Sequence, residues 1–458
     1  MRFFSLRPGW PLTALIVGFP LWWALGLGTF IFPILALPMA VELLRRRPIK
    51  VPPGFGVWLL FLLWVFASLV MLKANPPGTR SGSSQIISES LRIVEYLTAT
   101  IVLLYAGNLT EKEMPQRRLT SLLSYLFLVT VGGGLLGLVA PRFQFTAPLE
   151  LLLPHSMRTN LFVKSLVHPT AAQVQVVLGY SAPRPSAPFG YTNTWGNCLS
   201  ILLVWIIVGW VIRGSSRQRI IGLIAVAISV VPIVFSLNRG LWVALGVCAI
   251  YVAVRLAARG KVVAVGVLAV VLVGGAVAFV VSPLHDVVTS RFQHGQSNSI
   301  RSYTVTQAIT GATHSPILGY GSTRNTLGSA QSISVGKSAT CQLCGNSTIG
   351  SNGQFWLVLI SQGYVGAILY VWFFIAAAWR YRRDKSAIGM GGVLVLLQSF
   401  VYMLVYNALI VPLVLYMLSV ALMWRNDMQS TSGSTTSPAL SRRHSAPFTP
   451  QRATGLHR

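Results

Sequence analysis

Runs of about twenty apolar residues recur along the 458-residue chain, each closed by a short polar stretch, and no other feature restricts its fold so severely. A bilayer core about 30 Å thick is crossed by about 20 residues rising 1.5 Å each. Backbone in hydrocarbon must satisfy its own hydrogen bonds, so segments of this length cross as helices. Composition excludes the soluble alternative, because only 10% of the residues are charged and 53% are hydrophobic, whereas an average soluble domain is roughly 25% charged. The expected fold class is therefore all-α, a polytopic transmembrane helix bundle of about twelve spans with two long outer-side loops. The spans are expected at 12–27, 28–44, 54–72, 86–106, 119–140, 191–212, 220–236, 240–254, 262–282, 353–378, 388–405 and 407–424.

Thirty-six Lys and Arg against nine Asp and Glu give a formal charge of +27. A nucleic-acid partner would need these cations on one solvated face; instead they punctuate the apolar runs, so no nucleic acid is expected and the lipid bilayer is the natural partner. Short basic loops resist translocation, and the short connections on one side carry seventeen Lys and Arg against three on the other. That assignment makes the basic side cytoplasmic and puts both termini inside, as an even span count requires. The first apolar run is followed at once by another rather than by a small-residue cleavage site, so no cleavable signal peptide is expected. Four cysteines are too few for a disulfide-stapled scaffold.

Within a bundle spanning 1–424, two connections exceed the usual loop length, at 141–190 and 283–352, and both fall on the outer side. Function is expected there. The cytoplasmic connections hold neither a Gly-rich phosphate loop nor a carboxylate pair, so a nucleotide-sugar site inside is not expected, and no metal site or cofactor is read from the sequence. The stretch 425–458 is rich in Ser, Thr, Pro and Arg and reads as a disordered basic cytoplasmic tail. Cys341 and Cys344 could close a small disulfide in the second outer loop.

The most pointed local feature is Ser236-Leu237-Asn238-Arg239-Gly240, a polar break between two apolar runs. An Arg near hydrocarbon faces a cavity or a partner, or snorkels to headgroups. The second loop adds Arg301, then Pro316-Ile317-Leu318-Gly319-Tyr320-Gly321, then Arg324. Three arginines converging on one outer cavity would suit a diphosphate, because the planar guanidinium fork matches phosphate oxygens.

The order of these pieces resembles the O-antigen ligase and O-antigen polymerase-like membrane proteins. The similarity runs over 190–375: the Ser-x-x-Arg-Gly break at 236–240, Arg301 in a long loop, Pro-x-x-Gly-x-Gly at 316–321, and Leu359-Ile360-Ser361-Gln362-Gly363-Tyr364-Val365-Gly366 in the following span. The aromatic, Asn-rich start of the sixth span, including Tyr191 and Asn193, is similar as well. The resemblance implies a metal-independent, lipid-diphosphate-dependent glycosyltransferase of the outer leaflet, with a donor glycan carried on undecaprenyl diphosphate and a glycan or lipid acceptor. In it, Arg239 and Arg301 hold the diphosphate. Such an enzyme would sit in the bacterial cytoplasmic (inner) membrane with its active site outside, where other polysaccharide assembly proteins are candidate partners.

One departure concerns the general base. Where the family often has His-Asn, this chain has Asn352 and Gly353. Transfer still requires a proton acceptor for the acceptor hydroxyl. Five of the seven histidines are expected outside, namely His155, His168, His285, His294 and His314, and His314, just before the Pro-x-x-Gly-x-Gly motif, is ranked first. Glu89, Arg92 and Glu95 sit at spacings of three in an otherwise apolar span, on nearly one helix face. They read as an internal Glu–Arg–Glu triad or, with charged residues in spans being functional candidates, as a site in which Glu89 is the second candidate base and Arg92 a substrate ligand. Asn352, Tyr191, Asn193 and Arg324 complete the candidate substrate-binding set, and Trp195 and Tyr303 are further aromatic candidates for sugar stacking. Asp286 and Glu150 are the other outer acids, too few to expect a facing glycosidase pair.

The leading expectation is thus a polymerase or ligase in bacterial cell-surface polysaccharide synthesis, of exopolysaccharide, capsule or O-antigen. Two alternatives stand beside it. A lipid-linked oligosaccharide flippase would spread ionisable residues through many spans, and a peptidoglycan polymerase of the shape, elongation and division type would need an outer-loop Asp, for which Asp286 is the candidate.

Overall fold

A computed structural model of the chain describes residues 7–80, 85–159, 161–176, 181–263, 265–266, 269–270, 296–326 and 348–435. Most of these residues are helical. Among the described residues, seven helices are long and apolar enough to cross a membrane: Gln116–Val139, Thr192–Ile212, Ser216–Phe235, Arg239–Ala257, Gln354–Tyr381, Ala387–Val405 and Ile410–Ser430. Thr192–Ile212 includes a π-helical end over Ile207–Ile212, and the last helix continues to Thr435. The helix Gln85–Asn108 carries the three charges of the expected fourth span. The helix Phe55–Ser68 and a 3-10 turn, Leu69–Met71, cover the third. The protein is a polytopic helical membrane protein.

Several expected boundaries shift. The first apolar run is not one rod but two short helices, Trp10–Val17 and Phe19–Ala24, followed by Ile31–Arg45. Gly18 separates the first two, and each starts with a proline in its first turn, where the missing N–H costs nothing. The expected span 262–282 falls almost wholly outside the described residues, as do Cys341, Cys344, His285, His294 and Asp286. The basic tail does not begin at Arg425. That residue lies within the last helix, 2% exposed, donating to Glu111 Oε1 at 2.6 Å and to the Met114 carbonyl at 2.6 Å. A guanidinium with partners on a neighbouring segment keeps the helix going where composition alone suggested a stop.

The described parts of the two long connections hold regular secondary structure. The first contains three short helices, Pro148–Leu152, His155–Arg158 and Leu161–Val167, and an antiparallel hairpin of Ala172–Val176 with Ser181–Pro185, in register Ala172 to Pro185. The second contains the 19-residue helix Gln296–His314. It also supplies the strands Arg324–Thr326 and Thr348–Ile349, which with Thr79–Arg80 make a small antiparallel sheet whose centre is Arg324–Thr326.

Burial sorts the helices into layers. Ile410–Ser430 is almost enclosed, while Ser216–Phe235 and Arg239–Ala257 leave Leu223, Ile224, Val230, Val243 and Ile250 exposed, a surface suited to hydrocarbon. The core includes an aromatic cluster in which the Trp58 ring lies 5.0 Å from Phe373 and 5.2 Å from Phe61, with Tyr96 and Tyr370 closing it. Trp58 Nε1 donates to Thr100 Oγ1 at 2.8 Å, so the buried indole N–H is satisfied.

Candidate active site

The Pro-x-x-Gly-x-Gly motif has a structural task. The helix Gln354–Tyr381 is broken at Gly363, whose φ of 69° lies in the left-handed region. The break frees backbone groups that hydrocarbon cannot satisfy, and the motif supplies the partners. Tyr320 N–H donates to the Ile360 carbonyl at 3.0 Å and Gly321 N–H to that of Ser361 at 2.7 Å, while Tyr364 N–H donates to the Pro316 carbonyl at 2.7 Å. Trp64 Nε1 clamps the junction, donating to the carbonyls of Ile317 at 2.9 Å and Gln362 at 3.2 Å. Gly319, with φ of 63°, approaches Gly363 so closely that a Cβ on either would meet backbone of the other segment. The two Gly-containing motifs, read separately in the sequence, are one joint.

Arg324 belongs to this joint. It is 1% exposed, and its three guanidinium nitrogens donate to the carbonyls of Leu72 at 2.9 Å, Ala74 at 2.8 Å, Tyr320 at 2.8 Å and Ser322 at 3.0 Å, among others. Burial pushes its pKa down to about 10, which leaves it charged at neutral pH. The expectation that Arg324 grips a diphosphate is corrected: its donors are spent on loop carbonyls, and it does not line the cavity described next.

A cavity of about 680 Å³ opens between the two folded connections and the end of the bundle, within the range of small-ligand sites, roughly 300–1,000 Å³. Arg301 and Arg92 line it, together with Tyr191, Asn193 and Asn352. Another wall is apolar, formed by Phe19, Trp23, Val405, Leu409 and Val411. Five of the nine sequence-derived site residues therefore meet in one space.

The supports of these side chains are specific. Asn352 Nδ2 donates to Thr304 Oγ1 at 2.6 Å, one helical turn from Arg301. Tyr191 OH and Ser165 Oγ share a hydrogen bond of 2.7 Å, and Asn193 Oδ1 accepts from Arg184 Nη2 at 3.4 Å. Arg301 lies over the Tyr406 ring, 5.4 Å from its centroid, a cation–π contact worth about 0.5–2 kcal/mol.

Tyr406 connects Arg301 to the Ser-Leu-Asn-Arg-Gly break. Its OH donates to Asn238 Oδ1 at 2.6 Å, and Asn238 caps the helix Arg239–Ala257 by accepting from Leu241 N–H at 3.0 Å. Gly240 packs against the same ring, where a Cβ would collide with it. Arg239 is half-buried and interacts electrostatically with both Arg301 and Tyr406. It is not among the residues lining the cavity.

Two candidate bases are displaced. His314 sits at the far end of the helix Gln296–His314, thirteen residues from Arg301, which at 1.5 Å per residue is roughly 20 Å. It is exposed, with Nδ1 hydrogen-bonded to the Thr310 carbonyl at 2.8 Å, and does not line the cavity. His314 adjoins the glycine motif in sequence, but the helix Gln296–His314 holds it apart from Arg301. Glu89 is buried beside the joint, Oε1 accepting from Gln362 Nε2 at 3.3 Å and Oε2 without a partner. Among the described residues, Glu89, Arg92 and Glu95 form no ion pair within 4 Å. Arg92 and Glu95 line the cavity, and Glu89 does not. The expected triad is thus spread along the helix, with Arg92 electrostatically between two carboxylates rather than clasped by them.

Sequence reasoning gave too little weight to four residues. His168 lines the cavity, its Nδ1 hydrogen-bonded to Glu150 Oε2 at 2.7 Å and its Nε2 3.3 Å from Gln144 Oε1. Both dyad members are largely buried, and only the fold of the first connection brings positions 150 and 168 together. Tyr406 was readable only as a polar interruption between the last two spans. Arg184, buried in the hairpin, donates from Nε to the Ser236 carbonyl at 2.7 Å and so ties the first connection to the polar break. Trp195, by contrast, is fully buried with Nε1 donating to the Thr130 carbonyl at 2.9 Å, which removes it as a sugar platform.

The fold and site define a polytopic membrane protein with an amphipathic cavity that presents arginines and amides beside an apolar wall. Residues 224–340 match the family model described as O-antigen ligase, which supports an O-antigen ligase-like family for the chain. The matched segment holds Arg239, Arg301 and the glycine motif, and it lies inside the 190–375 region on which the motif order rested. No curated protein matches the chain.

Proposed function

We propose that the chain transfers a glycan from undecaprenyl diphosphate at the outer leaflet of a bacterial inner membrane, as a polymerase or ligase of cell-surface polysaccharide. The observation that carries this reading is the sharing of one cavity by Arg301, Arg92, three hydrogen-bonding side chains at 191, 193 and 352, and an apolar wall. A lipid-linked glycan has three parts, and the site offers a complement to each. Guanidinium groups at 301 and 92, both on the cavity wall, neutralise the diphosphate, with charge-assisted hydrogen bonds worth about 1.5–3 kcal/mol each, and Arg239 adds positive potential from behind Arg301. Asn193, Asn352 and Tyr191 meet sugar hydroxyls, and Phe19, Trp23 and Leu409 meet the first isoprene units.

In the reaction, the acceptor hydroxyl oxygen bonds to the anomeric carbon of the donor. The bond from that carbon to the phosphate oxygen breaks, and its electron pair leaves on the lipid diphosphate. The arginines stabilise that charge without reorganising. His168 takes the hydroxyl proton at Nε2 once the acceptor displaces Gln144, while Glu150 holds the ring through Nδ1, so its tautomer and orientation are set.

The glycan profile of a deletion strain, complemented in turn by the wild type and by Arg301→Ala, tests the reading. Accumulated single repeat units that the wild type clears and the variant does not indicate a polymerase; long unattached chains indicate a ligase. Units trapped on the inner leaflet would indicate a flippase, and loss of peptidoglycan would indicate the peptidoglycan polymerase; either defeats the proposal. His168→Gln should lower transfer while leaving the yield of folded, detergent-stable protein unchanged, a separation that a purely structural histidine would not produce.

A further inference from the structure

We propose that the end of the bundle opposite the catalytic cavity carries a separate binding site for a phosphate-bearing anion. The two ends are joined by the same helices. Gln85–Asn108 contributes Arg92 to the first cavity and Asn108 to a second, and the last helix contributes Ile410 to the first and Arg425 to the second. This second cavity, also about 680 Å³, is lined by Arg45, Arg46, Arg47, Lys50 and Arg425, with Glu111 as its one carboxylate.

Basic residues at a membrane boundary are ordinary, since topology selects for them, but topology does not require them to converge. Here three distant segments are braced so that they do. Asn108 clamps the 45–50 turn in both directions, its Oδ1 accepting from Lys50 N–H and its Nδ2 donating to the Lys50 carbonyl, each at 2.9 Å. Arg46 grips Glu113 through two hydrogen bonds, at 2.9 and 2.6 Å. Arg425 crosses from the last helix to Glu111.

The buried group is the second, independent sign. Arg425 is 2% exposed, and although Nη2 is doubly engaged, Nη1 has no hydrogen-bond partner. A buried guanidinium N–H left unpaired costs free energy unless a ligand or water meets it. Five cations against one lining carboxylate also repel one another. Both costs fall when an anion with several acceptor oxygens enters, and a phosphate supplies them with the geometry that arginine matches best. The class is therefore a phosphate group, supplied by an anionic phospholipid headgroup or by a soluble phosphate compound.

Binding can be read without any glycan transfer, so failure here leaves the proposed function untouched. The full chain in nanodiscs of neutral phosphatidylcholine would be melted with and without pyrophosphate, and again in nanodiscs containing phosphatidylglycerol. The double variant Arg47→Gln/Lys50→Gln removes two exposed cations of the cavity without touching its ion pairs. Arg117→Gln/Arg118→Gln removes the same charge at exposed positions outside the cavity lining. We expect a melting-temperature rise in the wild type and the control that the cavity variant loses. A rise with pyrophosphate identifies a soluble ligand, and a rise with phosphatidylglycerol alone identifies a lipid headgroup. No rise under either condition, or equal loss in both variants, overturns the site.

Discussion

Arg301 and Arg324 come from one connection, twenty-three positions apart in the chain, and the structure uses the same chemical group in opposite ways. Around Arg324 every guanidinium nitrogen is hydrogen-bonded, the acceptors being mostly carbonyls of the 71–75 and 320–323 segments. Around Arg301 the neighbours are an aromatic ring and open cavity. One arginine replaces missing backbone partners where the chain is neither helix nor complete sheet. The other has, among the described residues, no hydrogen bond from its guanidinium and stands on the cavity wall. A cation in a membrane protein is thus not a ligand site by virtue of its charge; what its N–H groups already touch decides.

The largest expected effect tests the saturated arginine. Arg324→Ala strips several buried carbonyls of their donor, each costing about 1–3 kcal/mol, and should reduce the yield of folded, detergent-stable protein severely. Arg324→Lys cannot reproduce the fork and should recover little. Gel-filtration profiles of the two variants read this directly, and a well-folded Arg324→Ala protein would erase the contrast drawn above.

Arg301→Ala should fold as the wild type does yet lose about 10- to 150-fold in glycan transfer, the equivalent of one charge-assisted hydrogen bond of about 1.5–3 kcal/mol. Arg301→Lys should fall between. The amount of folded protein must be measured alongside, because a variant that aggregates would place Arg301 with Arg324 on the structural side.

Smaller still is the effect at the joint. Gly363→Ala puts a side chain at φ of 69° against the Pro316 and Ile317 carbonyls, and strain of this kind costs about 1–3 kcal/mol. We expect a lowered melting temperature together with reduced transfer, since the joint positions the sheet that carries Asn325 and Thr348 into the cavity. Unchanged melting would show that the motif flexes rather than locks.

The smallest concerns the opposite end. The Arg46 guanidinium, hydrogen-bonded to Glu113, holds that carboxyl at about 2. A depressed folded-state pKa contributes stability that is fully present above the unfolded value, about 4.5, and is lost as pH falls toward 2. The melting temperatures of wild type and Glu113→Gln should therefore differ at pH 6 and converge as pH is lowered from about 4.5 toward 2. A gap that persists at the acid end would mean that the pair acts through packing instead.

Much was legible beforehand because hydrocarbon leaves the chain few choices. Apolar runs of span length had to become helices, and the order of polar break, loop arginine and glycine motif pointed to the family that residues 224–340 match. Five of the residues singled out in the sequence, Arg92, Tyr191, Asn193, Arg301 and Asn352, line one cavity. The misplacements share a cause. His314 was judged by sequence distance to a motif, but a helix converts thirteen residues into length rather than proximity. Arg324 was judged by residue type, which cannot reveal how many carbonyls surround it. His168 and Glu150 carried no joint signal, being eighteen residues apart in a connection whose short helices and hairpin have no clear periodicity.

Sequence alone determined the solvent of this protein, the helical form of its spans and the kinds of charged group available at their ends. Those properties follow from transfer free energy and backbone hydrogen bonding, which act on local stretches. Tertiary structure alone decided which arginine is spent and which is offered, which histidine faces the cavity, and that two glycine motifs form one joint. Such outcomes depend on which donors and acceptors from distant segments come within about 3 Å, and that distance is set by how the helices pack.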